Sequence, residues 1–75
     1  MSKLNIFDDD VLIARITIIG NMSFLFARSS REWSEMKGLL DASEKLKEAD
    51  PNIDVLKNLI SMLHNFNYNT ELTDK

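Results

Sequence analysis

The chain has 75 residues, nine Lys and Arg against twelve Asp and Glu for a net charge of -3, one histidine and no cysteine. A chain this short forms one domain at most and is marginally stable unless disulfides, a metal or a partner reinforces it. The missing cysteines exclude disulfides and thiolate metal sites and favour a reducing compartment, which leaves a partner. The acidic balance does not suit binding to a polyanion.

Asp8, Asp9 and Asp10 precede the first apolar run, a charge opposite in sign to that of a secretory signal, so a cytoplasmic protein is expected. They also suit a helix start: Asp8 as N-cap, Asp9 and Asp10 in the first turn, and Phe7 stapled onto Leu12. From Val11 to Leu46 the apolar residues fall in two adjacent columns with a spacing of seven. One reads Val11, Ile18, Leu25, Glu32, Leu39, Leu46; the other reads Leu12, Ile19, Phe26, Trp33, Leu40, Lys47. A third, Arg15, Met22, Ser29, Met36, Ser43, fills the place of a second heptad core position. The polar residues Asp10, Thr17, Asn21 and Arg28 gather on a separate stripe. Because the columns run in phase into a region that is helical on its own evidence, a heptad-patterned helix over about 9–28 is expected.

Two other structures fit the same stretch. In a β-hairpin, the β-branched run Val11 to Ile19 would turn at Gly20-Asn21 and return through Met22 to Arg28. As a membrane span, residues 11–27 are at the lower limit of length, and Arg15 and Asn21 inside the run oppose insertion.

Ser29 followed by Glu32 matches a capping box, so a helix starts there and the chain bends, or else one helix continues from the first through residues 30–49. Asp50-Pro51 makes a tight turn, with Asp50 as cap and Pro51 at a first helical position. A helix over 51–66 should follow, carrying Ile53, Leu56, Ile60 and Leu63 on one stripe with Leu59 and Phe66 beside it. It should fold back antiparallel, placing Trp33 and Leu40 on Ile60 and Leu63. Asn65, Asn67 and Asn69 terminate it, and residues 69–75 are expected to be a frayed tail.

Little in this chain supports chemistry. The aspartate triplet lacks the alternating ligands and the glycine of a calcium loop. His64 has no serine or cysteine nucleophile in a recognisable motif near it. With Gly20 and Gly38 the only glycines, no phosphate-binding loop exists. Enzymatic activity is not expected, nor is any cofactor, metal or small-molecule substrate. Lys57, Asn58 and His64 are too few groups for a DNA-reading helix, and the remaining basic residues are interleaved with acidic ones, so no nucleic-acid partner is expected.

The expected protein is therefore all-α, a helical hairpin or small bundle that acts by helix-to-helix packing on a protein partner or on itself as a homodimer. Arg15, Ile18, Met22, Leu25 and Phe26 are the candidate partner-binding residues. Arg15 falls inside the apolar sector, where it either snorkels to water or meets a carboxylate or aromatic face of the partner. The alternatives are a small membrane protein anchored by residues 11–27 and an α+β domain, a hairpin plus two helices, that dimerises through its sheet.

Overall fold

Two short turns decide the architecture. In the computed structural model, which describes residues 1–74, the chain runs β1 (Ser2–Asp8), β2 (Val11–Ile19), β3 (Met22–Ala27), α1 (Ser30–Ala49), α2 (Val55–Asn65) and β4 (Asn69–Asp74). Asp9-Asp10 joins β1 to β2 and Gly20-Asn21 joins β2 to β3, each loop closing directly on a paired residue at either side. Both loops place their first residue at positive φ, 55° at Asp9 and 61° at Gly20. Asp tolerates that region better than most residues and Gly adopts it freely. A Cβ on Gly20 would meet nothing within 4 Å, so φ, not space, is what requires the glycine.

The strands form one antiparallel sheet in the order β3-β2-β1-β4. The fold is α+β, not all-α: among the described residues there is no helical bundle and no coiled coil, and the expected helix over about 9–28 is the hairpin β2–β3 with the turn before it. Two features disguised it. First, the β1–β2 register slips between Ile6 and Phe7: Ile6 faces Ala14 while Phe7 faces Leu12, which leaves Ile13 as a bulged extra residue. Ile13 and Ala14 are consequently both buried, followed by Ile16, and that uneven spacing resembles a helix face more than a strand. Second, the hairpin is apolar on both sides, so the alternation that normally identifies a half-buried strand is missing.

The polypeptide bends at Ser29, as a capping box predicts. Ser29 Oγ accepts the Glu32 N–H at 3.2 Å and its hydroxyl donates to Glu32 Oε1 at 2.9 Å, which starts α1. Asp50 caps the far end, its N–H donating to Leu46 O. Pro51 does not begin the second helix. Pro51-Asn52 is a turn in which Asp50 Oδ1 accepts the Asn52 N–H at 3.1 Å. Helix α2 starts at Val55, where the Asp54 side chain accepts the Lys57 N–H. Residues 69–74, expected to be frayed, form β4 beside β1, with Phe7 facing Asn69 and Ser2 facing Asp74; position 75 lies outside the described residues. A strand joining the two ends of the chain carries no local signal in so polar a segment.

The two helices cover one face of the sheet. Helix α1 lies against β2 and β3, and α2 against α1 and β4. Leu4, Ile6, Ile13, Ala14 and Ile16 of the sheet meet Met36 and Leu40 of α1 and Leu59 and Leu63 of α2, all buried. Ser43 is buried with them, and its Oγ accepts from Asn58 Nδ2 at 3.3 Å. Leu40 and Leu63 share this core as expected, but Trp33 stays outside it, 43% exposed.

Candidate interaction surface

Among the described residues nothing covers the sheet face opposite the helices, and its composition differs from one side to the other. Because side chains alternate along a strand and paired residues share a face, the register assigns the outward positions. They are Lys3, Asn5 and Phe7 on β1; Leu12, Arg15, Thr17 and Ile19 on β2; Met22, Phe24 and Phe26 on β3; and Asn69, Glu71 and Thr73 on β4. The β1–β4 half is mostly polar. The β2–β3 half is mostly apolar, with Met22 55%, Phe24 52% and Phe26 67% exposed and with Leu12 and Ile19 also open to solvent.

A polar ladder crosses this face. Asn5 Nδ2 donates to Glu71 Oε1 at 3.2 Å, and Arg15 Nε donates to Asn5 Oδ1 at 2.7 Å. Arg15 is thus exposed on the sheet surface, where its charge is hydrated; it is not a charge inside a helix seam. Its cross-strand neighbour on the other side is Phe26.

The five residues singled out from sequence divide between the two faces. Arg15, Met22 and Phe26 are outward. Ile18 and Leu25 are inward, partly buried against the core, so no single surface contains all five. Phe24, Ile19 and Leu12 complete the outward patch and were missed. The available signal was the alternation Met22-Phe24-Phe26 directly after a Gly-Asn turn, which has meaning only once the segment is taken as a strand.

The two sheet edges differ as well. At one edge β4 carries Glu71 and Asp74; at the other, β3 has the sequence Met-Ser-Phe-Leu-Phe-Ala, with no charge and no proline.

The polar groups elsewhere act mainly in structure. Arg28 grips Glu32 with two hydrogen bonds, Nε to Oε1 at 2.8 Å and a second nitrogen to Oε2 at 3.1 Å. Together with the Ser29 hydroxyl, these bonds hold the Glu32 carboxyl below the usual carboxylate range, the Arg28 contact being the larger cause. Tyr68, at the entry to β4, donates its hydroxyl to Glu35 of α1, a bond that pushes the phenol up to about 12. His64 Nε2 shares a 3.1 Å hydrogen bond with Thr70 Oγ1 at an exposed site joining α2 to β4. Asp9 and Asp10 form a turn, with Asp9 O accepting from Asn69 Nδ2 at 3.1 Å. A groove of about 720 Å³ lies between the Gly20-Asn21 turn and the α1–α2 connection; Lys47 on its wall donates to Pro51 O and Ile53 O. Among the described residues no three His, Asp or Glu side chains converge as a metal site would require, and no helix is long and apolar enough to cross a membrane. Comparison with known proteins finds no matching family model, no matching curated protein and no matching solved structure.

Proposed function

We propose that this chain is a non-enzymatic protein–protein interaction module whose working surface is the uncovered face of the β2–β3 hairpin. One observation carries this: Met22, Phe24 and Phe26 project side by side from a strand whose outward face no helix covers. Successive outward residues on a strand are about 7 Å apart, so the three form one continuous apolar strip. Single exposed apolar residues are ordinary, whereas a contiguous patch marks a contact site. Phe and Met are also among the residues enriched at interface centres, and the Lys3, Asn5 and Glu71 side of the sheet supplies a polar rim. The occupant is the apolar surface of a polypeptide, identical to this chain or different from it. A cytoplasmic location is part of the proposal, since a chain with no cysteine suits a reducing compartment.

A photo-reactive phenylalanine analogue placed at position 24, compared with one at Leu46, tests this. Leu46 is a comparably exposed apolar residue on the helix layer. The position-24 probe should give an adduct mapping to one defined segment, competed away by excess unmodified chain and not by chain carrying Phe24→Ser and Phe26→Ser. A defined, competable adduct from position 46 with none from position 24 would place the contact on the helix layer instead.

A further inference from the structure

Resting on the proposal that the β2–β3 face is the working surface, we infer that its occupant is a second copy of this chain, joined antiparallel along the free edge of β3. Two four-stranded sheets then become one continuous sheet of eight strands.

The first ground is the contrast between the edges. Soluble proteins protect edge strands with charge, proline or a bulge, because an unguarded edge is a template for another strand. The β4 edge carries Glu71 and Asp74, whereas β3 carries none of these devices and keeps an unbroken register with β2 from Met22 to Ala27.

The second ground is hydrogen-bond parity. Arg28 N donates to Ile13 O at 3.0 Å, and the two-residue loop makes Ile19 and Met22 a hydrogen-bonded pair of the same ladder. The even-numbered residues of β3 therefore direct their backbone groups to β2. Those of Ser23, Leu25 and Ala27 point away from the sheet. They are the groups a new strand would bond.

The third ground is self-complementarity. Two copies of β3 related by a two-fold axis at Leu25 bring Leu25 opposite Leu25 of the second copy and Ser23 opposite its Ala27. Every outward-pointing backbone group of the strand is then paired. In the same register Phe24 faces Phe26 of the second copy, twice over, on the uncovered side, which joins the two apolar strips into one aromatic cluster. A register centred on Phe24 leaves Ala27 without a partner. Registers of odd sum oppose bonding residues to non-bonding ones.

Sedimentation velocity with residue-resolved amide exchange tests the inference. The full chain should dimerise at micromolar concentration. On dimerisation the amides of Ser23, Leu25 and Ala27 should become protected, while those of Phe24 and Phe26 are protected at every concentration. Ser23→Pro removes an edge donor without touching the β2 ladder, and proline is tolerated at an edge; it should raise the dissociation constant about tenfold or more. N-methylation of Leu25 in synthetic chain, which keeps its side chain, should act alike. Circular dichroism confirms that each variant is folded, and the exchange pattern of the unmodified chain decides the matter even if a variant does not fold. A chain monomeric throughout, or a dimer in which Ser23, Leu25 and Ala27 exchange as in the monomer, overturns the inference. A dimer lost on Phe24→Ser with Phe26→Ser but unaffected by Ser23→Pro overturns edge pairing and leaves the face as working surface. A dimer indifferent to all of these overturns both.

Discussion

Arg15 and Phe26 stand opposite each other on β2 and β3, and Arg15 Nε donates on its other side to Asn5 Oδ1 of β1 at 2.7 Å. The guanidinium belongs to the polar half of the open face and Phe26 to the apolar half, so the boundary of the interaction surface runs between them. Arg15→Ala should leave stability within about 0.5 kcal/mol, because the side chain is exposed and away from the core. It should weaken association less than Phe26→Ala does, while reducing discrimination between partners or registers. Denaturant titration and a competition binding assay read the two effects separately.

The core is on the other side of the sheet. Leu63 is fully buried between the helices and the sheet, so Leu63→Ala should cost about 2–5 kcal/mol through lost burial and the remaining cavity. Urea unfolding followed by Trp33 fluorescence measures it, since Trp33 is the only tryptophan. An unchanged midpoint would mean that the helix layer is not seated as described.

The start of α1 depends on Ser29 and Glu32. Ser29→Ala should cost about 1 kcal/mol as the loss of an N-cap. Glu32 titrates below the ordinary carboxylate range in the folded protein, chiefly through its hydrogen bonds with Arg28. Its contribution is therefore complete above the unfolded-state value and is lost as pH falls through the depressed folded value. Glu32→Gln should flatten this acid limb of stability, measured as unfolding midpoints across pH.

Tyr68 titrates in the opposite sense. The fold favours its protonated form through the bond to Glu35, with the phenol pushed up to about 12. The stabilisation is present below the ordinary value of 10.0 and is lost as pH rises from there through about 12. As the only tyrosine, its ionisation can be followed directly by ultraviolet absorbance. Glu35→Gln should move the titration back toward the ordinary value.

Local chemistry was legible in the sequence where it was local. The Ser29–Glu32 cap, the break near Pro51 and the stripe of Leu56, Ile60 and Leu63 with Leu59 beside it depend on residues a few positions apart, whereas Ile53, expected on that stripe, precedes α2 and Phe66, expected beside it, is exposed. The Gly20-Asn21 turn was legible too, but it competed with heptad columns produced by coincidence, since Ile16, Ile18 and Leu25 serve the core while Ile19, Met22, Phe24 and Phe26 serve the outer face. A hairpin with two apolar faces and a bulge at Ile13 loses the period of two by which strands are recognised. Strand β4 could not be read at all, because Asn69 to Asp74 gains its structure from pairing with residues at the opposite end of the chain.

Stability and association of one variant, measured together, test most directly whether the outward aromatics are a working surface. Phe24→Ser combined with Phe26→Ser, studied at concentrations where the chain is monomeric, should shift the unfolding free energy by no more than about 1 kcal/mol, because neither ring belongs to the core. The same variant should lose self-association or partner binding altogether. A variant that unfolds, or one that stays folded and still associates with unchanged affinity, would contradict the assignment of this face as the interaction surface.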